Sequence, residues 1–586
     1  MKIRLAKTAG FCMGVRRAVD MVLDLGTDSP PLPVVTYGPL IHNPQTLQIL
    51  ESKGIRQISS LDDVTTGTVV IRAHGISPQE RQTLQDKGVT VVDATCPRVA
   101  RVQAVIRKHS AKGHFCVIVG DDDHPEVKGL LGFASAGGLA IASTDDGALI
   151  DTIPMDREIC VVAQTTQEAE TFQRVVKRLR EQGYALHPYN TICDSTKKRQ
   201  KEVSDLASQA DLIVVVGGKG SGNTRRLVKV AQDQGVHALH VETEEEIPDS
   251  TLDPAHIVGV TAGASTPNWQ IRRVIDRLRT IQRHRKGTPL KHLRRVADVA
   301  VMTYVPAALG GAGLAAACLT MQSRAVTWLE LVVTMLFVFS MHLLNRIQER
   351  SGAVRFNTPE ISAFYVRHRR LLTILGIGSA LAAVALGYEL GIYAFLLLLA
   401  MLVTGALYSV PLFPYIGLSW LGWRSLKEIP GLKTPLVAVG WAVACVVLPV
   451  IGSREPLALG SLVVAFTFAA GMVFWRTALS DLLDIQGDRI VGRATIPILT
   501  GAKRTRWLLE ALLMLLVVVL TASSAVGVVP TVGFWLIANV LFFGMFYWVY
   551  RSRPLLDRLL LEGMLDGNLF LAGALSMVYA VAAGGA

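Results

Sequence analysis

The chain has 586 residues, half of them hydrophobic, with a mean hydropathy of +0.38 and a net charge of +12. Its seven cysteines are an odd set and Met1 leads straight into a strand-like run, so a disulfide-built secreted domain is set aside in favour of a reducing cytosol. The pI near 9.4 does not point to nucleic acid, because half of the basic excess lies in a membrane-like region where topology accounts for it.

Residues 1–297 hold 33 of the 47 acidic and 39 of the 59 basic residues, and 298–586 hold the other 14 and 20, so each part carries +6. In the first part, apolar runs at 3–7, 34–37, 69–73, 89–93, 116–120, 159–164, 212–217 and 257–261 read as strands. Helical patterns at 15–25, 98–113, 167–182, 198–209, 224–234 and 268–281 follow several of them. This alternation predicts an α/β domain with largely parallel sheets, whose ligands collect at the carboxyl ends of the strands.

Three cysteines fall at such ends. Cys12 lies in Gly10-Phe11-Cys12-Met13-Gly14, Cys96 in Asp93-Ala94-Thr95-Cys96-Pro97 and Cys193 in Thr191-Ile192-Cys193-Asp194-Ser195. Each setting brings a thiol to a helix N-terminus, where amides and dipole favour a thiolate. Cys116, Cys160, Cys318 and Cys445 lie in apolar patterns and read as small buried hydrophobes. Polar groups collect at the same strand ends: His42, the Ala73-His74-Gly75 turn, His124-Pro125-Glu126, Gln164-Thr165-Thr166, the run 217–224 with Ser221, Gly222 and Asn223, and Ser265. Singly, each reads more readily as an ordinary loop or helix cap. Together they describe a pocket of amides, hydroxyls and imidazoles suited to a small anion such as diphosphate. Three cysteines without a close pair argue against structural zinc. A cluster held by three thiolates would leave one iron open to a substrate oxygen.

These stretches, in this order and over about residues 1–282, resemble the LytB/IspH family of 4-hydroxy-3-methylbut-2-enyl diphosphate reductases. The resemblance implies three pseudo-symmetric α/β units around a central [4Fe-4S] cluster ligated by Cys12, Cys96 and Cys193. It implies that His42, His74, His124, Ser221, Asn223 and Ser265 hold the diphosphate, that Thr165 positions the substrate's hydroxyl, and that Glu126 delivers protons. It also implies a ferredoxin- or flavodoxin-type electron donor. Gly222 departs from the family, which commonly has a second serine there, so a backbone amide stands in for one hydroxyl and weaker substrate binding is expected.

Residues 283–298 form a basic juxtamembrane linker suited to an anionic leaflet. Nine apolar segments follow, near 299–321, 326–344, 372–388, 390–410, 435–451, 456–475, 507–528, 531–550 and 567–585. With the first part cytoplasmic, the inner connections carry 18 basic residues and the outer ones two. The expectation is therefore an all-α membrane domain, 299–586, in a bacterial-type cytoplasmic membrane, with its reductase-like domain in the cytoplasm.

In the loop expected after the sixth span, Asp481, Asp484 and Asp488 recur at i, i+3 and i+7, one face of a helix. Such carboxylates at a membrane surface call for a cation, and magnesium bridging to a diphosphate suits them. The stretch from Asp481 to Pro497 resembles the second aspartate-rich motif of UbiA-type intramembrane prenyltransferases, a likeness that covers about 290–586. It implies magnesium diphosphate bound by Asp481, Asp484 and Asp488, with Lys427 or Lys433 assisting. The first motif departs: of its usual ligands only Asn345 and Glu349 remain, and Arg346 replaces an aspartate. Three readings follow: a bifunctional reductase–prenyltransferase, a reductase on a non-catalytic membrane anchor, or a first part that acts as a cluster-based redox sensor.

Overall fold

The computed structural model describes residues 2–27, 33–143, 147–252, 256–285, 290–348, 359–408, 425–426, 429–451, 456–491, 493–552 and 558–584. The chain divides into two compact units, Met1–Gly287 and Thr288–Ala586.

The first unit contains β1 (Lys2–Leu5), β2 (Val34–Tyr37), β3 (Arg56–Ile58), β4 (Thr68–Ile71), β5 (Thr90–Asp93) and β6 (Phe115–Val119). It continues with β7 (Gly138–Ile141), β8 (Ile159–Ala163), β9 (Leu186–Tyr189), β10 (Leu212–Val216), β11 (His237–Val241) and β12 (Ile257–Ala262). They form three four-stranded sheets, ordered β3-β2-β4-β5, β7-β6-β8-β9 and β11-β10-β12-β1. Every pairing is parallel.

One order therefore repeats three times: second strand, first, third, fourth. In the last sheet the fourth place is filled by β1, the first strand of the chain, which pairs with β12 from Lys2↔Ile257 onward. The threefold arrangement implied by the resemblance is thus circularly permuted. The central strands are β-branched and buried on both faces, as in the fully buried Leu212–Val216 and Ile159–Ala163, which is why they read as continuous apolar runs.

The second unit is helical. Among the described residues, seven helices are long and apolar enough to cross a membrane, and Arg295–Met302 with Val305–Met321, bent by 68°, makes an eighth. The bend falls at Tyr304, whose φ of 61° is left-handed, with Pro306 in the first turn beyond it. The fourth of the nine expected segments is present as the shorter apolar helix Ile392–Leu407, 16 residues. Its expected continuation past Tyr408 lies outside the described residues. This is a multi-pass membrane protein.

Two further corrections concern helix ends. The sixth span does not stop near Trp475 but runs as one helix, Leu459–Val491, so the aspartates expected in a loop sit on its last turns. The basic linker is helical on both sides, in Asn268–Arg285 and Leu290–Met302. Small residues bring Val305–Met321 onto Arg558–Gly584: a Cβ on Gly313 would lie 2.7 Å from Phe570 Cα. Cys318 and Cys445 are fully buried in this core, and Cys116 and Cys160 in that of the first unit.

Candidate active sites

The threefold repeat explains why the polar residues of the first unit meet. Five residues after the first strand of each sheet come His42, His124 and Ser221; soon after each third strand come His74, Thr165 and Ser265; after each fourth come Cys12, Cys96 and Cys193. The cysteine amides repeat one hydrogen bond. Cys12 N donates to Ala264 O at 3.0 Å, Cys96 N to Ala73 O at 2.9 Å and Cys193 N to Thr165 O at 2.9 Å, in each case crossing to the loop after the third strand.

All three thiols line one cavity of about 100 Å³, together with His42, His74, His124, Glu126, Thr165, Ser221, Gly222, Asn223 and Ser265. Cys96 and Cys193 are N-cap residues whose side chains make no capping bond, and Cys12 Sγ accepts from Val15 N at 3.4 Å. Gly14 lets the helix Met13–Thr27 approach, since a Cβ there would meet Cys96 Sγ at 2.5 Å. All three cysteines are free thiols. Thiols from three separate loops, converging without disulfide pairing, fit a three-cysteine iron–sulfur cluster in donor chemistry and number. Burial pushes the Cys96 thiol up, more than the amides of Arg98 and Val99 pull it down. The helix N-terminus alone therefore does not favour the thiolate, as the sequence had suggested; a metal held there would have to displace the proton.

Beside the thiols stand three imidazoles, with centroids 4.6 Å (His42–His74), 5.4 Å (His42–His124) and 5.3 Å (His74–His124) apart. Burial lowers the pKa of all three, that of His124 to about 4, so at neutral pH they are uncharged donors and acceptors. His124 Nδ1 caps its helix by accepting from Glu126 N at 3.0 Å, which leaves the ring proton on Nε2. His42 Nε2, His74 Nδ1 and Asn223 Nδ2 are buried without a hydrogen-bond partner. Such orphans are costly unless a polar ligand completes them. Glu126 is 2% exposed, with Oε1 accepting from Thr165 N at 2.7 Å and Oε2 from Thr165 Oγ1 at 2.8 Å. Burial raises its pKa despite both bonds.

Two arginines escaped the sequence reading. Arg199 is buried and donates to Ala262 O at 3.0 Å and Gly10 O at 2.5 Å, tying the helix after Cys193 to the Cys12 loop. Arg226 donates to Asp121 Oδ1 (2.9 Å), Gln167 Oε1 (3.1 Å) and Thr166 Oγ1 (3.2 Å), joining the helix after Ser221 to the loops of the sheet β7-β6-β8-β9. Both sit inside ordinary amphipathic helices, where nothing local marks an arginine as buried. Gly222 lies against this bridge: a Cβ there would come 3.0 Å from Arg226 Nη1.

The second unit holds a polar cavity of about 260 Å³, which Asp481, Asp484, Asp488, Asn345, Arg346 and Lys433 all line. It shares His342, Asn345, Tyr408 and Val437 with an apolar cavity of about 420 Å³. Lys433 Nζ lies 2.6 Å from Asp481 Oδ1, and Thr434 Oγ1 donates to Asp481 Oδ2 at 2.7 Å. Arg493 Nη1 is 3.7 Å from Asp488 Oδ1. Magnesium is thus not the only cation available to these carboxylates, and Lys433, one of the two lysines expected to assist, lies among them. The oxygen donors of Asp484 and Asp488 fit magnesium; Asp481, with both oxygens engaged, fits as the group that positions Lys433. Glu349 and Lys427 lie outside the described residues.

Residues 3–279 match the family model described as LytB protein, and residues 305–558 match that of the UbiA prenyltransferase family. The 4-hydroxy-3-methylbut-2-enyl diphosphate reductase of Geobacter sulfurreducens is 40% identical over 287 residues, which is 49% of this chain and 100% of that one. That of Nitratidesulfovibrio vulgaris is 44% identical over 278 residues, 47% of this chain and 98% of that one. The chain belongs to the LytB family. Its second half carries the UbiA domain. Among solved structures, the Plasmodium falciparum reductase aligns with 47% of this chain and 87% of its own at 26% identity and a TM-score of 0.45. An Archaeoglobus fulgidus UbiA homolog bound to GPP and Mg2+ aligns with 48% and 99%, at 17% identity and a TM-score of 0.36. In the LytB half, every site residue expected from the sequence lines one cavity; in the UbiA half, all those within the described residues do so.

Proposed function

We propose that the LytB half reductively removes the hydroxyl of 4-hydroxy-3-methylbut-2-enyl diphosphate, giving isopentenyl and dimethylallyl diphosphate. Cys12, Cys96 and Cys193 would hold a [4Fe-4S] cluster, which supplies electrons and a Lewis-acidic iron when bound. The observation that carries this reading is the convergence of three equivalent thiols, three neutral imidazoles and a buried carboxyl on one cavity. His42, His74 and Asn223, whose orphaned atoms need a partner, bind the diphosphate with His124, Ser221, Ser265 and the Gly222 amide. Hydroxide is a poor leaving group, so an acid must protonate it. Glu126, kept protonated to higher pH by burial, is that acid, and Thr165 on its Oε2 positions the substrate's hydroxyl. The electrons come from a ferredoxin- or flavodoxin-type donor. Anaerobic purification with iron and sulfide analysis, EPR and turnover of the substrate tests this; protein that gathers no cluster under those conditions overturns it.

The UbiA half transfers a prenyl group from a prenyl diphosphate to an acceptor. The joined polar and apolar cavities support this, since a prenyl diphosphate has one charged end and one long apolar end. Asp484 and Asp488 would hold Mg2+ on the diphosphate, with Asn345, Arg346 and Lys433 facing the same cavity. With 18 basic residues on inner connections against two on outer ones, the reductase lies on the cytoplasmic side of the membrane. The anchor reading is favoured by one observation, that Asp481 is already neutralised by Lys433. Prenyl transfer by membranes containing the unmutated chain, lost in Asp484→Asn, supports the transferase; no transfer to any quinone, aromatic or lipid acceptor supports the anchor.

A further inference from the structure

At the amino ends of the sheet β7-β6-β8-β9, away from the cysteine cavity at the carboxyl ends, lies a second cluster of ligand atoms. His114 directly precedes β6, Glu158 directly precedes β8, and His187 is the second residue of the edge strand β9. The register Cys116↔Cys160 and Cys160↔His187 puts the three on neighbouring strands. His114 Nε2 lies 3.2 Å and His187 Nε2 2.7 Å from the same oxygen, Glu158 Oε2. The two rings stack 5.0 Å apart at 22°, and the three ligand atoms all lie within 4.8 Å of one another. Around a metal with bonds of about 2.0–2.2 Å, neighbouring ligand atoms stand about 3–3.5 Å apart, so small side-chain rotations would close this set around an ion.

Behind it, His109, only 4% exposed, is placed to orient His114: the two Nδ1 atoms are 3.0 Å apart, and His109 Nε2 is 2.9 Å from the Tyr189 hydroxyl. One tautomer chain leaves His114 Nε2 free for a metal: His114 Nδ1–H donates to His109 Nδ1, and His109 Nε2–H donates to Tyr189. A second hydrogen-bonded shell of this kind is the usual support of a metal-binding imidazole. The Glu158 and His187 side chains are 55% and 42% exposed, which gives an ion access.

We propose that His114, Glu158 and His187 bind a divalent transition-metal ion of the zinc class, which ties edge strand β9 to its sheet. Two imidazoles and one carboxylate suit zinc, cobalt or nickel and are a poor set for magnesium or calcium.

The test uses the full chain, purified anaerobically in detergent with its iron content measured, and Zn2+ delivered from a chelator buffer. The unmutated protein should hold one zinc equivalent more than His187→Gln or Glu158→Gln, and zinc-edge X-ray absorption should show nitrogen and oxygen neighbours with two imidazoles. His109→Gln should weaken zinc binding about 10–100-fold without abolishing it. Iron content and reductase turnover should stay unchanged in all three variants, which also reports that they fold. Equal zinc in the unmutated and His187→Gln proteins, or a sulfur-rich zinc environment, overturns the proposal.

Discussion

Apart from Arg98 and the carboxyl of Glu126, the cavity of the LytB half is walled by thiols, hydroxyls, amides and imidazoles that burial keeps neutral, whereas that of the UbiA half is walled by full charges, among them Lys433 on Asp481 and Arg493 on Asp488. The first is assembled from loops of three sheets, so no single element carries it; in the second, three carboxylates sit on one face of one helix. Neutral donors at helix ends bind an anion without a fixed counter-charge, at the expense of orphaned atoms when nothing is bound. Paired charges remain satisfied when empty but must be unpaired to act. The first arrangement is therefore sensitive to which atoms are presented, and the second to charge balance.

Five substitutions test this contrast. Cys96→Ala is expected to abolish cluster EPR and lower reductase turnover by more than about 100-fold, with prenyl transfer in the same membranes unchanged. A parallel loss of prenyl transfer would show that the halves are not separate sites. Glu126→Gln should keep iron and sulfide yet lose about 10²–10⁴ in turnover; normal turnover would remove Glu126 as the acid.

The same variant gives a pH test. A carboxyl whose folded pKa is raised contributes stability below its unfolded value that is lost as pH rises towards the folded one. Melting temperatures of the unmutated protein should fall over that window relative to Glu126→Gln.

In the UbiA half, Asp481→Asn leaves Lys433 without its carboxylate and should destabilise the protein by about 3 kcal/mol in detergent melts. Asp484→Asn should mainly cost prenyl transfer. Equal melting shifts for the two would mean that Asp481 does not act through Lys433. Smallest is Gly222→Ser. Arg226, pinned by Asp121, Thr166 and Gln167, cannot easily give way, so about 1 kcal/mol of stability should be lost. The KM for substrate should not improve, although the serine restores what the family commonly has.

The strands legible in the sequence were β1, β2, β4, β5, β6, β8, β10 and β12; β3, β7, β9 and β11 were not read. All four are edge strands, and β3 and β9, Arg56-Gln57-Ile58 and Leu186-His187-Pro188-Tyr189, are largely exposed. An edge strand lacks the two-sided burial that writes an apolar run. Arg199 and Arg226 were missed for a related reason, since their partners are carbonyls and polar side chains from other loops, which no local pattern announces.

By itself, the sequence determined the two-part division, the parallel α/β character of the first part, the three cysteines at strand ends and the aspartate face, because hydrophobic period and short motifs are local properties. Only the tertiary structure decided that β1 completes the last sheet, that the cysteine amides repeat one bond, and that Asp481 is occupied by Lys433 and Thr434. Those outcomes depend on residues 23 to more than 250 positions apart, and pairings of that kind are set by packing and charge compensation.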